Sequence, residues 1–221
     1  MKRQHRLYEW KDGKKLELGE RSLVMGILNV TPDSFSDGGK WNSNTLAVSH
    51  ATDMIKDGAH LIDVGAESTR PGHVALTPEE ETKRLMQFLP DVLKVSMVPV
   101  SVDSYHYETM ETALKAGAHI VNDIWGFQYD DGSMAKTAAA FDVPVILMHN
   151  QETEVYGKDM MDDLKHFFDK SIEIALSAGV RAENIILIRA LALERMRSRI
   201  WKSSRGLMSL LWLSPAPGFL V

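Results

Sequence analysis

Carboxylates and carboxamides recur where short apolar runs end. Asn29 closes "LVMGILNV", Asp63 and Glu67 follow in "HLIDVGAE", Asp103 ends "VPVSVD", Asn122 and Asp123 end "HIVND", and His149 and Asn150 end "VPVILMHN". Any one of these could cap the next helix or turn, because Asp and Asn hydrogen-bond readily to nearby backbone. Their repetition points instead to a shared pocket into which polar groups from distant positions converge. With no cysteine in the chain, thiolate nucleophiles and thiolate-held metals are excluded.

Two loops sharpen that chemistry. "NVTPDSFSDGGKW" sets Asn29, Thr31, Asp33, Ser34, Ser36 and Asp37 around Pro32 and Phe35 and ends in Gly38-Gly39. A polar, glycine-hinged segment with one aromatic reads as a mobile lid rather than a scaffold turn. "GAESTRPGH" places Arg70 after Ser68-Thr69 and beside Pro71-Gly72. A guanidinium there can pair with a lid aspartate or with an anionic substrate, and the competing reading is a surface salt bridge.

The elements that must position these groups alternate. Apolar runs of strand length, ending with "NIIL", are separated by helical patterns, the rhythm of parallel strands with helical crossovers. Thr77-Pro78-Glu79-Glu80 predicts a helix start with a capping box. Leu46, Met54 and Ile55 predict one buried helix face, and Met110, Ala113 and Leu114 another. About six repeats of one kind favour an α/β fold of the TIM (β/α)8-barrel type over a doubly wound sheet. In such a barrel the carboxyl ends of the strands share one face, which is where the polar groups would meet.

Bulk properties fit this frame. The 221 residues are 44% hydrophobic and 25% charged, enough for one large domain or two small ones. No apolar stretch approaches the roughly 20 residues that span a membrane, so a soluble, cytoplasmic protein is expected. Charge is uneven. Residues 188–221 hold six Lys/Arg against Glu194 alone, so the body carries −10 of a formal net −5. An acidic body gives no reason to expect nucleic-acid binding.

"GILNVTPDSFSDGG", "IDVGAESTRPG", "SVDSY" and "IVNDIWG", in this order, resemble the dihydropteroate synthases of folate biosynthesis, which are β/α-barrel enzymes. The resemblance covers roughly Leu23–Leu187, with a hairpin ahead of it. It implies condensation of (7,8-dihydropterin-6-yl)methyl diphosphate with 4-aminobenzoate, giving dihydropteroate and diphosphate, with Mg²⁺ as cofactor and a homodimer as the usual assembly. Asn29 would hold Mg²⁺ and diphosphate, while Asp103 and Asn122 would bond the pterin edge. Asp63 would lie nearby as a structural or loop partner. Asp33 and Phe35 in the first loop, with Thr69, Arg70 and Pro71 in the second, would close over the aminobenzoate site. Asp33, Arg70 and Asp103 are thus the residues assigned to catalysis. His149 is left between packing and ligand contact. Pterin-dependent methyltransferases share the Asp and Asn logic, but give no reason for the first loop.

The resemblance stops at the compositional seam. After its sixth strand the family reads Asp-Pro-Gly-Ile-Gly-Phe-Gly-Lys, and here stands "IRALALERMRSRIW". Reverse-translated with permitted synonymous codons and read one base earlier, Ile188 onward spells Asp-Pro-Gly-Ile-Gly-Phe-Gly-Lys-Asp-Ala-Glu-Gln-Asn-Leu. A one-base deletion at the Leu187 codon is the expectation, leaving residues 1–187 as an incomplete pterin-binding barrel domain of about six β/α units and 188–221 as an aberrant basic tail. A basic amphipathic helix and a native extension are the competing readings of the tail, and a non-catalytic remnant is the competing reading of the chain. A homodimer and full activity are accordingly in doubt for this chain.

Overall fold

The computed structural model describes residues 5–31, 39–67, 75–150, 160–188, 208–209 and 214–215. Strands β1 (Arg6–Glu9) and β2 (Lys15–Leu18) pair as an antiparallel hairpin. Six parallel strands then follow in chain order: β3 (Met25–Asn29), β4 (Leu61–Gly65), β5 (Val100–Asp103), β6 (Ile120–Asp123), β7 (Val145–Met148) and β8 (Ile185–Ile188). Between them run α1 (Gly39–Lys56), α2 (Pro78–Leu85), α3 (Leu89–Val95), α4 (Tyr107–Lys115), α5 (Ser133–Phe141) and α6 (Met160–Ser177). This is the β/α-barrel architecture with six of its parallel strands and, among the described residues, the helical connections between them. Among the described residues β3 and β8 do not pair with each other. Two-residue strands β9 (Met208–Ser209) and β10 (Ser214–Pro215) lie antiparallel on β3 and β8, a contribution from the basic tail that its sequence does not announce.

Period-two alternation divides the strand residues between two cores. Leu28, Ile62, Val64, Val100, Val102, Val121, Val145, Leu147 and Ile185 face the helices. Met25, Leu61, Ile120, Ile146, Ile186 and Ile188 form a second cluster with Tyr8, Leu16 and Leu18 of the hairpin, which plugs the base of the sheet. The plug is pinned by polar contacts: the Tyr8 hydroxyl donates to the Glu183 carbonyl at 2.5 Å, and Arg6 donates to the carbonyls of Glu183 and Ile185.

The helices begin and end for identifiable reasons. At α2 the Thr77 hydroxyl accepts from the Glu80 amide at 3.3 Å and the Glu80 carboxylate from the Thr77 amide at 3.1 Å, with Pro78 at the first helical position. Met110, Ala113 and Leu114 are buried as their spacing predicts. Leu46 is not: it is 43% exposed, and Ala47 and Ala51 take the inward face of α1 with Met54 and Ile55 packed beside them. The face is rotated by one residue because small alanines let the helix lie close on the sheet.

One joint is built twice. "GAHLID" and "GAHIVN" each take a helix into a strand. Gly58 and Gly117 adopt φ of +105° and +107°, and the amides of Ala59 and Ala118 reach back to the carbonyls of Met54 and Ala113, so each helix ends in a Schellman motif. The next residue is histidine in both. The backbone amides of His60 and His119 donate to the carbonyls of Val24 and Val100, and their Nδ1 atoms accept from the amides of the same two valines at 3.1 Å. With Nδ1 an acceptor, His119 donates from Nε2 to the Asp12 carboxylate at 2.9 Å.

Burial lowers the pKa of both histidines. A depressed folded-state pKa means that their contribution to stability is present above the unfolded value of about 6.5 and is lost as pH falls through the folded one. The His119→Asn variant keeps an acceptor near the Nδ1 position but cannot protonate. Its thermal midpoint should therefore fall less than that of wild type between about pH 7.5 and pH 5.5. Parallel losses in the two proteins would remove His119 from the acid response.

Candidate active site

The strand register assembles the site. Asn29 pairs with Gly65, Gly65 with Asp103, and Asp103 with Asn122, so four adjacent strands place these residues in one lateral row at their carboxyl ends. Gly65 is the gap in the row. A Cβ there would stand 3.3 Å from the Asn29 Oδ1 and 3.6 Å from both Cβ and Oδ2 of Asp103, so a side chain would fill the space between amide and carboxylate. The row directly below pairs Asp63 with Ser101. The two oxygens of the buried Asp63 carboxylate accept from the Ser101 hydroxyl at 2.5 Å and from Asn122 Nδ2 at 3.0 Å.

Further carboxylates crowd the same end. Asp123 is buried, and it accepts from the amides of Trp125 and Phe127 at 2.8 and 2.9 Å, organising a turn in which Gly126 and Phe127 both have positive φ. This one is a turn former. Glu67 accepts from the Tyr105 hydroxyl at 2.9 Å, and Glu81 faces His106 Nδ1 at 2.9 Å while accepting from the Ser104 hydroxyl at 2.8 Å. Arg84 donates to the Ala66 carbonyl at 3.0 Å. Together these contacts brace the backbone just before residue 68. Glu67, Glu81 and His106 bring one ligand-capable atom each within 4.8 Å, but His106 and the hydroxyls of Ser104 and Tyr105 already engage the two carboxylates.

The charge pattern follows from this crowding. Burial first, then the charges of Asp63, Glu81, Asp123 and Glu67, hold the Asp103 carboxyl well above the usual carboxylate range. Burial also lifts Asp63 and Asp123 to about 6, against the opposing effect of their hydrogen bonds. Burial and the Glu67 carboxylate raise the Tyr105 phenol, so it remains a donor at neutral pH. Several acidic groups facing one space with lifted pKa values mark a site prepared for a ligand rich in hydrogen-bond donors or in positive charge.

Of the residues singled out from sequence, Asn29, Asp63, Asp103 and Asn122 are brought together. Asp33, Phe35, Thr69, Arg70 and Pro71 lie outside the described residues. His149 is buried and sets its ring edge-on to Phe167 of α6, with centroids 4.8 Å apart. Gly65, Ser101 and Tyr105 are additions. Ser101 and Gly65 each stand two residues from an aspartate on the same strand, so period-two reading could have found them. A cavity of about 580 Å³ lies at the opposite end, between the hairpin and the loops holding His119, Asp142 and Arg181, far from this chemistry.

A model of the family "Pterin binding enzyme" matches residues 25–199. The chain belongs to the pterin-binding enzyme family. A dihydropteroate synthase of Clostridium beijerinckii is 48% identical over 174 residues, 79% of this chain and 64% of that protein. The crystal structure of the Clostridium difficile dihydropteroate synthase in the presence of pteroic acid superposes with a TM-score of 0.73 at 46% identity, covering 76% of this chain and 64% of that one. The Xanthomonas albilineans synthase, solved with 4-aminobenzoic acid, gives a TM-score of 0.73 at 36% identity over 80% of this chain and 63% of the other. This chain thus spans just under two thirds of the length of these relatives.

The raised pKa of Asp103 makes it a stability liability. A carboxyl that ionises more readily unfolded than folded costs nothing below the unfolded pKa and increasingly more as pH rises toward the folded one. Asp103→Asn removes that cost. Its thermal midpoint should exceed that of wild type at about pH 8 and approach it at about pH 5. A midpoint below wild type at the higher pH would contradict the electrostatic reading of the row.

Proposed function

We propose that this chain is built for dihydropteroate synthesis, the condensation of (7,8-dihydropterin-6-yl)methyl diphosphate with 4-aminobenzoate. The observation that carries the reading is the row of Asn29, Gly65, Asp103 and Asn122 across four strand ends. A pterin edge presents neighbouring N–H donors. A carboxylate at Asp103 accepts two of them, while the Asn122 amide gives and accepts at once. The open space at Gly65 lets a flat ring lie between Asn29 and Asp103. The pteroic acid and 4-aminobenzoic acid in the related structures fit the same two substrates.

In this reading C–N bond formation follows departure of diphosphate from the pterin methylene. Asp103 and Asn122 hold the ring and orient that carbon, and the acidic surroundings stabilise the positive charge that grows on it. The loops with Asp33 and Phe35 and with Thr69, Arg70 and Pro71 close over the aminobenzoate and exclude the water that would otherwise capture the carbon. No covalent nucleophile is needed. Asn29 at the mouth offers one hard amide oxygen, which suits Mg²⁺, an ion that keeps several waters and relies on substrate phosphates for much of its shell. Bound there, the ion would neutralise the leaving diphosphate. For the frame-restored protein, a cytoplasmic homodimer sensitive to sulfonamides as aminobenzoate mimics completes the proposal. A methyltransferase reading has no comparable support, since the relatives described above are synthases.

The reading frame belongs to the same proposal. With the synonymous codons of that reading, restoring one base at the Leu187 codon would return an Asp and a Lys after the sixth strand, and such groups would add charge-assisted contacts to pterin and diphosphate. In the chain as it stands, β3 and β8 are met by two-residue antiparallel strands, not by further parallel ones.

Complementation of a synthase-deficient strain separates these points. The frame-restored gene should support growth without folate end products and the chain as given should support little. Failure of the restored gene would overturn the synthase reading, and growth at wild-type level from the chain as given would overturn the frame reading. In the restored protein, Arg70→Ala or Asp33→Ala should lower turnover and aminobenzoate affinity while leaving pterin binding largely intact. Loss of pterin binding with aminobenzoate affinity unchanged would reverse the loop roles.

A further inference from the structure

The carboxylate of Asp63 is placed where it cannot serve a ligand directly. It lies one row below Gly65 and Asp103, and both its oxygens are occupied, by Ser101 at 2.5 Å and by Asn122 Nδ2 at 3.0 Å. Around it the interior is apolar: Leu61 lies two residues back on the same strand, Ile120 stands opposite Ser101 in the same row, and Ile146 and Ile186 continue the row of Asn122, all fully buried. Burying a carboxylate among such side chains is costly. A leucine or isoleucine like those around it would fill the position at lower cost.

We propose that Asp63 is a positioning residue that fixes which way the Asn122 carboxamide faces, and so sets the hydrogen-bond pattern that the row above presents to a pterin. The inference rests on the synthase reading and adds to it a residue that acts through another. A free carboxamide can turn by half a revolution and exchange its oxygen for its nitrogen. An ionised carboxylate only accepts, so Asp63 holds the amide nitrogen toward itself. One N–H of Asn122 is then spent inside the barrel, and its oxygen and remaining N–H are left for the ligand. Ser101 completes the arrangement by orienting the carboxylate from the intervening strand.

The same charge reaches Asp103. Among the described residues, the charges that raise Asp103 are those of Asp63 on β4, Glu81 on α2, Asp123 at the end of β6 and Glu67 just after β4, all of one sign. Removing the charge of Asp63 should let Asp103 ionise at lower pH.

The test is the affinity of 6-hydroxymethylpterin monophosphate for the purified chain, measured by calorimetry from about pH 5 to about pH 9. Asp63→Asn, whose carboxamide can turn either its nitrogen or its oxygen toward Asn122 and so no longer fixes it, should weaken binding by about tenfold or more. It should also move the midpoint of the pH profile downward, a change that a purely structural lesion does not produce. Asn122→Ala should show a comparable loss, and adding Asp63→Asn to it should cost little more. Ser101→Ala should cost less than either.

Wild-type affinity and an unmoved midpoint in Asp63→Asn would overturn the inference, as would losses that add in full in the double variant. If Asp63→Asn does not fold, Asp63→Ser, which keeps a small acceptor, takes its place. Failure of both to fold would make Asp63 a structural residue and end the proposal. No binding at any pH by either the wild-type chain or the frame-restored protein would remove the pterin reading itself, a result distinct from all of these.

Discussion

Everything in the site depends on strand register. Because β3 to β6 pair in parallel with Asn29, Gly65, Asp103 and Asn122 opposite one another, groups separated by tens of residues in the chain share one level of the barrel. A one-residue slip in any of these strands would turn its inward set toward the helices. The apolar partners of each polar residue guard against that slip. Ile62 and Val64 flank Asp63, Val102 precedes Asp103 and Val121 precedes Asn122, and all four are buried against the helices.

That arrangement sets stability against function. The row and the one beneath it concentrate like charge, so the pKa of Asp103 rises and the folded state carries a cost that ligand donors would relieve. The rest of the molecule is conventionally stable. The hairpin plugs the base with Leu16 and Leu18, the GAH joints end helices and start strands with all their amides paired, and α2 is closed by a capping box. The lifted carboxyls of Asp63, Asp103 and Asp123 lie at the end where chemistry would occur.

Much of this was legible in the sequence. Strand positions followed from apolar runs, the α2 start from Thr77-Pro78-Glu79-Glu80, and Asn29, Asp103 and Asn122 of the row from polar residues at run ends. What those patterns do not encode is which polar residue faces inward at which level. Asp63 and Asp123 look alike from their runs, yet one bridges three strands inside the barrel and the other ties down a turn. Leu46 misled because hydrophobicity outweighs size in a periodicity argument, whereas close helix–sheet contact favoured Ala47 and Ala51. The strand pairing of residues 208–209 and 214–215 had no signal, since two-residue strands lack a period.

The central claim is that the row at the strand ends forms the floor of a pterin site, and direct calorimetric titration of a pterin phosphate into Asp103→Ala and Asn122→Ala tests it. Each variant should remain folded by circular dichroism and lose about 1–3 kcal/mol of binding free energy relative to the unsubstituted chain. Unchanged affinity in both folded variants would contradict the account.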